Sequence, residues 1–333
     1  MALNRAELNL YIWAGTSANK PASANFIISK TKVTSQIDIN FEIGELINDY
    51  LNPVFNDDYG STTNGNIDCV WVNAYTRLFD EEDVSYSYSN PVDRTFLAVN
   101  GYGEFEDGGT PELSRNALIT SSNIYLPENT AGKIPIFTEG VGKFIIGGVT
   151  TQVTDNGNTN QKIQYIPVPA NSTSVLVYDL DDATLLKTIT VNNICEPKFT
   201  PYKITFINRF GALQDLYFFK KSTEKFNVTD STYKTNIIEN TTGSYNTYKA
   251  QKQRYNVNAI TSLSMNTGFI LEDMNSAIEE LFLSENVWIR FDGKTLPVVT
   301  TSKSFQQKTV LNDKLINYTV DFEFAFNKIN NVR

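Results

Sequence analysis

Alternation of apolar and polar residues is the feature that most restricts what this chain can fold into. It is strictest near the C-terminus, at Ile316, Tyr318, Val320, Phe322, Phe324 and Phe326. A period of two places successive side chains on opposite faces of a β-strand. The same period recurs at Leu8–Ile12 and at Ile37–Ile43. We therefore predict a strand in each of these three segments.

Two β-hairpins are predicted from pairs of apolar runs joined by turn residues. The first joins Ser174–Leu180 to Thr184–Val191, and the second joins Tyr202–Ile207 to Leu213–Phe219 through a turn that ends in glycine. The Tyr-rich, polar segment Lys234–Ala259 fits two interpretations, a long loop or an edge element of a sheet.

Helical spacing of apolar residues occurs in two places. In Glu272–Leu283, the residues Met274, Ile278 and Leu281 fall on one face of a helix, with acidic residues opposite. A shorter helix is predicted over Gly44–Leu51, where Pro53 follows and stops it.

These patterns predict a mainly β protein of two or three β-sandwich-like domains, with one amphipathic helix in the last domain. The Gly- and acid-rich stretch Gly101–Pro111 and the segment Pro197–Pro201 mark the boundaries. The predicted domains are an N-terminal β domain (1–110), a middle sandwich-like domain (111–196) and a C-terminal β domain (197–333) that carries helix 272–283.

The absence of histidine excludes most catalytic and metal chemistry. Histidine is the usual general base near neutral pH and a common zinc ligand. The only two cysteines, Cys69 and Cys195, are too far apart in sequence for a metal-binding pair motif. They are interpreted as small buried residues, and a disulfide between them stays open. We expect no catalytic residue, no cofactor and no metal. A glycoside hydrolase that uses two carboxylates is the enzyme class that remains.

Charge and hydropathy restrict the partners. The formal charge is −9 and the basic residues form no stripe, which argues against sequence-specific binding of nucleic acid. Because the longest apolar runs fall short of 18 residues, we expect no membrane insertion. The N-terminal residues lack a secretory pattern, which favours synthesis in a cytoplasm.

Three stretches carry a resemblance to a known class of proteins. They are Phe210–Asp215, the block from Asn266 to Ile289, and the ending Asn312–Phe326. In its general sequence character and in these three stretches, the chain resembles virion structural proteins of tailed bacteriophages, more narrowly those of the tail, the tail hub or the head–tail neck. The resemblance implies a location in the virion, assembly into a ring, and a role in the injection conduit or in host contact.

The leading hypothesis is thus a ring-forming tail, hub or neck component whose partners are other copies of itself and neighbouring virion proteins. The candidate interface residues lie on the return arm of the second hairpin and on the final strand: Leu213, Leu216, Tyr217, Phe219, Tyr318, Asp321 and Glu323. The alternative is a receptor- or glycan-binding adhesin of the virion, with Tyr245–Tyr255 as its contact surface.

Overall fold

The computed structural model describes residues 3–33, 38–60, 68–80, 85–86, 92–114, 117–238, 241–304, 306–307 and 315–329. Strands take up 48% of the chain and helices 7%. The predicted mainly β class with several sheets and one main helix is therefore confirmed.

The N-terminal segment forms the first sheet. Its strands pair antiparallel in the order β2-β1-β3-β4, and β5 pairs with β3. A helix of five residues, α1, packs Ile47 against Leu10 and Ile12 of this sheet. The elements are β1 (Arg5–Trp13), β2 (Phe26–Thr31), α1 (Gly44–Asn48), β3 (Cys69–Phe79), β4 (Ser85–Tyr86) and β5 (Asp93–Val99).

The middle segment contributes a five-stranded sheet, in the order β6-β12-β11-β8-β9, and a separate β7–β10 ladder. The predicted hairpin of Ser174–Val191 is confirmed as the antiparallel pair β11–β12, whereas β12 and β6 run parallel. The strands are β6 (Asn123–Pro127), β7 (Gly132–Phe137), β8 (Lys143–Ile146), β9 (Val149–Gln152), β10 (Ile163–Val168), β11 (Ser174–Tyr178) and β12 (Leu185–Ile194).

The C-terminal segment forms a seven-stranded sheet in the order β14-β13-β18-β19-β21-β16-β15. The second predicted hairpin is confirmed as β13–β14, and the main helix as α2 with the 3-10 turn Glu272–Met274 before it. The elements are β13 (Tyr202–Ile207), β14 (Leu213–Phe218), β15 (Thr223–Lys234), β16 (Lys252–Asn266), β17 (Ile270–Leu271), α2 (Asn275–Leu283), β18 (Val287–Phe291), β19 (Lys294–Thr300), β20 (Leu315–Ile316) and β21 (Thr319–Phe324).

One large hydrophobic core joins the five-stranded sheet of the middle segment to the seven-stranded sheet of the C-terminal segment. Its buried residues run from Ala117 to Phe324 and include Val175, Ile189 and Phe322. Helix α2 contributes Ile278 and Leu281, both fully buried, to the same core. Residues 197–201 therefore separate two sheets that pack on a common core.

The final strand lies inside its sheet. Strand β21 pairs with β16 on one side and with β19 on the other. Val320, Phe322 and Phe324 are buried while Asp321 is exposed, as the alternation predicts. The predicted continuous strand from Ile316 to Phe326 is shorter and interrupted, because Asn317 and Tyr318 separate β20 from β21.

The strand predicted over Ile37–Ile43 is wrong for its described part, since residues 38–43 belong to no strand. Its apolar side chains are used differently: Ile43 packs with Leu46 of α1 against the first sheet, so this segment covers the sheet instead of extending it. Ile37 lies outside the described residues.

The cysteines do not pair. Cys69 is buried, as interpreted from the sequence, but Cys195 is exposed, and both are free thiols. Neither the disulfide nor the interpretation of Cys195 as a buried residue holds.

Two chain segments meet backbone to backbone at the turn of the β13–β14 hairpin. The Tyr102 N–H donates to the carbonyl oxygen of Arg209 at 2.9 Å. Gly211 has a φ of +77°, and a Cβ atom at this position would lie 2.8 Å from the carbonyl carbon of Asn100. The first sheet is thereby held against the C-terminal sheet at a point that has no room for a side chain.

Candidate functional site: a projecting hairpin

In the described part of the chain, the hairpin of β15 and β16, residues 223–266, carries more exposed large apolar and aromatic side chains than any other element, and we call it the arm. Its strands pair from Thr223–Ser264 to Lys234–Lys252. Strand β16 pairs with β21 only over Ser262–Asn266, and β15 ends the order of the sheet. The segment predicted as a long loop or an edge element is thus the tip and second strand of an edge hairpin.

The outer half of the arm, residues 229–257, reaches beyond the sheet. Residues 252–257 of β16 are exposed on both faces, whereas Ala259, Thr261 and Leu263 are buried. At about 3.3 Å per residue, these six residues extend the arm by about 20 Å. A β-bulge between Thr229 and Ser231 lies where the outer half begins.

Exposed apolar and aromatic side chains are spaced along the arm between polar residues. All four exposed tyrosines of the described chain lie on it, and Tyr248 at its tip is 82% exposed. Tyr233 and Tyr255 contact each other edge to face, with ring centroids 5.6 Å apart. The exposed large side chains of the arm are Phe226, Val228, Tyr233, Ile238, Tyr245, Tyr248, Tyr255 and Val257.

The arm has the opposite charge to the rest of the chain. Residues 223–266 contain five basic and three acidic side chains, a net charge of +2. Because the whole chain carries −9, the remainder carries −11. Within the arm, Arg254 Nε donates to Asp230 Oδ2 at 2.6 Å beside the bulge.

Five of the seven interface candidates are buried within this chain. Leu213, Leu216 and Tyr217 of β14, with the following Phe219, are 2–8% exposed, and Tyr318 is 6% exposed. They fill the chain's own core, because alternation marks a buried face without showing what buries it. Their part in an interface stays a prediction.

The two acidic candidates lie on the other face of β21, where Asp321 is exposed and Glu323 is partly exposed. Strands β13, β18 and β19 separate β21 from β14. The structure therefore does not bring the acidic candidates together with those on β14 and at Phe219.

Strand β15 is not among the strands predicted from the sequence, although the sequence carries a weak signal for it. In Thr223–Lys234, Phe226 and Val228 alternate with polar residues, and a Thr-Thr-Gly turn follows at 241–243. The alternation is weak because most residues on both faces are polar, which is typical of a strand that contacts solvent on both sides.

A cleft of about 530 Å³ lies where the first sheet meets the C-terminal segment; we call it the junction cleft. It is formed by α1, by residues 98–102 at the end of β5 and after it, by the end of β13, and by residues 283–286 at the end of α2 and after it. Among the described residues that line it, the charged side chains are Glu45 and Glu285, both exposed, and none is Lys or Arg.

A buried ionisable cluster lies near this junction. Glu280 is 3% exposed, and burial raises the pKa of its carboxyl, although one oxygen accepts a hydrogen bond from Thr120. Arg209 forms ion pairs with Glu104 at 3.1 Å and with Asp107. The depth of Glu280 favours a structural role, because a catalytic acid must reach its substrate.

A second, polar pocket of about 470 Å³ lies between the loop before β3 and strand β10. Two of its lining residues, Tyr59 and Tyr165, pack with ring centroids 5.1 Å apart. The Tyr59 hydroxyl donates to both carboxylate oxygens of Asp215, at 2.6 and 2.5 Å, and Lys203 Nζ lies 2.5 Å from Asp57 Oδ1. Lys133, Asn156 and Gln164 also line the pocket.

The acid Asp68, at the start of β3, is expected to make stability depend on pH. Burial raises the pKa of its carboxyl to about 6 from an ordinary 3.8, although it accepts backbone hydrogen bonds. Between these values the folded state binds more protons than the unfolded state, so stability falls as pH rises through this window. Asp68→Asn removes this loss and should stabilise the protein at pH 7 by up to about 3 kcal/mol.

Urea unfolding of both proteins at pH 3.5 and pH 7 measures this effect. The gain should be present at pH 7 and small at pH 3.5, where the Asp68 carboxyl is mostly protonated in both states. An equal difference at the two pH values would show that Asp68 acts through shape and not through its charge.

Other classes of site find no support in the part of the chain that the structure describes. There, no group of three or more Cys, Asp or Glu side chains is arranged to hold a metal ion. No described helix is both long and apolar enough to cross a bilayer.

Comparison with known proteins gives no relative. No protein-family model, no curated protein and no solved structure matches the chain significantly.

Proposed function

We propose that the chain is a structural component of a tailed-bacteriophage virion, in the tail, the tail hub or the neck, where copies of it assemble into a ring. It is made in the host cytoplasm, catalyses no reaction, and has other copies of itself and neighbouring virion proteins as partners. The resemblance of its sequence to virion proteins supports the location, and the arm supports assembly.

The exposed arm is the observation on which the assembly proposal depends. A long edge strand offers a row of backbone hydrogen-bonding groups to another chain, and monomeric proteins usually shorten or cover such edges. Strand β15 has 12 residues and carries exposed Phe226 and Val228. Contiguous exposed apolar side chains of this kind mark interaction surfaces. Tyrosine is also enriched among the residues that dominate binding energy.

A short-arm variant tests this proposal. Residues 229–258 are replaced by Asn-Gly, so that a two-residue turn joins Val228 to Ala259, which are already paired. The described residues among those removed are not buried, and Asn258 is the one that hydrogen-bonds to Ile329. The variant should therefore lose only about 1 kcal/mol of stability and keep a cooperative thermal transition. Native mass spectrometry of the intact chain should show a closed oligomer, and the variant should be monomeric.

Two outcomes contradict the proposal. One is an intact chain that stays monomeric at the highest protein concentration that native mass spectrometry allows. The other is a short-arm variant that forms the same oligomer, which would exclude the arm as the assembly element. An extended trimer would favour the adhesin instead.

The polar pocket favours a second candidate function, a glycan-binding adhesin of the virion. Sites for small ligands combine aromatic rings with a few precisely placed polar groups, and this pocket combines Tyr59 and Tyr165 with Lys133 and Gln164. Screening the intact chain against an oligosaccharide array tests it. Binding should be lost in Lys133→Ala/Gln164→Ala and kept in the short-arm variant; no binding by the intact chain contradicts this function.

A further inference from the structure

We propose that the tip of the arm docks into the junction cleft of a neighbouring copy of the same chain. This inference rests on the proposed self-assembly and identifies the two surfaces that meet. The occupant of the cleft is the segment around Tyr248 of a second copy.

The junction cleft and the arm have complementary charges. The described lining of the cleft has Glu45 and Glu285 as its charged residues, while the arm carries a net charge of +2, with Lys249 and Lys252 within four positions of the exposed Tyr248 in sequence. Opposite charges around an apolar contact steer two surfaces together and fix how they are aligned. The acidic remainder of the chain, at −11, makes the arm the natural partner for another copy.

The volume and the apolar lining of the cleft fit a tyrosine side chain. The cleft volume of about 530 Å³ is in the range of sites that hold a small ligand, so it has room for a tyrosine ring and the side chains beside it. Ile47, Leu51, Ala98 and Leu283 supply its apolar lining. Tyr245 and Tyr248, which are 61% and 82% exposed, combine an apolar ring with a polar hydroxyl that can stay at the rim.

The strand order of the C-terminal sheet places the cleft and the base of the arm far apart in one copy. The end of β13 forms part of the cleft, whereas the arm leaves the sheet at β15, five strand intervals away. At about 4.8 Å per interval, the two surfaces lie about 24 Å apart across the sheet. The contact is therefore between different surfaces of two copies, and such contacts close into rings or continue as filaments.

Two complementary variants test the inference. The short-arm variant has an intact cleft and lacks the arm tip. A cleft variant, Glu45→Lys/Glu285→Lys, has an intact arm and reverses two exposed charges, so its fold should be unaffected. Each alone should be monomeric. Mixed together, they should form a dimer of one copy of each and nothing larger, because only one pair of surfaces is competent.

A charge exchange adds a direct check of the contact. Glu45→Lys/Glu285→Lys should raise the dissociation constant between copies by about 100-fold. Adding Lys249→Glu/Lys252→Glu to the same chain should restore most of the affinity, because each pair of charges is again opposite. Lys225→Glu, near the base of the arm, is the matched control and should not restore it.

The results separate this inference from the proposed function. If the intact chain assembles and the short-arm variant does not, but the cleft variant still assembles and the mixture gives no mixed dimer, the arm docks elsewhere and the inference is overturned while self-assembly stands. If the intact chain itself is monomeric, both are overturned.

Discussion

A chain that lacks residues 315–333 is expected not to fold. Strand β21 pairs with β16 and β19, so its loss divides the seven-stranded sheet into two parts. It also removes Val320, Phe322 and Phe324 from the core. Val320 and Phe322 are fully buried, and Phe322 packs against Phe218 with ring centroids 5.6 Å apart. Loss of one such phenylalanine side chain costs about 3–5 kcal/mol, and a domain has about 5–15 kcal/mol in total.

Circular dichroism with thermal melting measures this outcome. The truncated chain should lack a cooperative transition. The matched control ends at Asn327, which keeps β21 and loses the hydrogen bonds made by the backbone of Lys328 and Ile329. Its free energy of unfolding should fall by only about 1–2 kcal/mol. A cooperative melt of the shorter chain near the temperature of the intact one would show that β21 is dispensable.

Gly211→Ala is expected to destabilise the protein by about 2–5 kcal/mol. Two effects add at this position. An alanine at a φ of +77° is strained by about 1–2 kcal/mol, and its Cβ would lie 2.8 Å from the Asn100 backbone, so two segments must move apart. Overpacking of this kind costs typically 1–3 kcal/mol. The backbone hydrogen bond from Tyr102 to Arg209 should be weakened as well.

Gly243→Ala is the matched control for this prediction. Gly243 has a similar φ of +64°, but nothing lies within 4 Å of its Cβ position at the tip of the arm. Urea unfolding should therefore show a loss of only about 1 kcal/mol for this variant. Equal losses in the two variants would mean that the close backbone contact at Gly211 contributes nothing to stability.

Local patterns in the sequence predict the elements that depend on neighbouring residues. The β13–β14 hairpin follows from two apolar arms and a turn that ends at Gly211, and α2 follows from the spacing of Met274, Ile278 and Leu281. Both are decided within about 20 residues of chain, where period and turn chemistry suffice.

The candidate site depends on long-range pairing and could not be predicted in the same way. Alternation in Thr319–Phe324 shows a buried face, but a central strand and an interface strand alternate alike. Only the pairing of β21 on both sides distinguishes them. The arm is harder to predict from the sequence, because its outer half is mostly polar on both faces. A polar segment that contains tyrosines is equally typical of a loop.

The place of β21 in its sheet also determines when the chain can fold during synthesis. Strands β15 and β16 are made some fifty or more residues before their inner partner, since β16 ends at Asn266 and β21 begins at Thr319. Until residue 324 has left the ribosome, the inner edge of β16 and the gap beside β19 stay open to other chains. Translation delivers residues at about 5–20 per second, so this interval lasts several seconds. The first sheet is complete by Val99 and can form long before that, which leaves the C-terminal sheet as the part of a nascent copy most exposed to premature pairing with its neighbours.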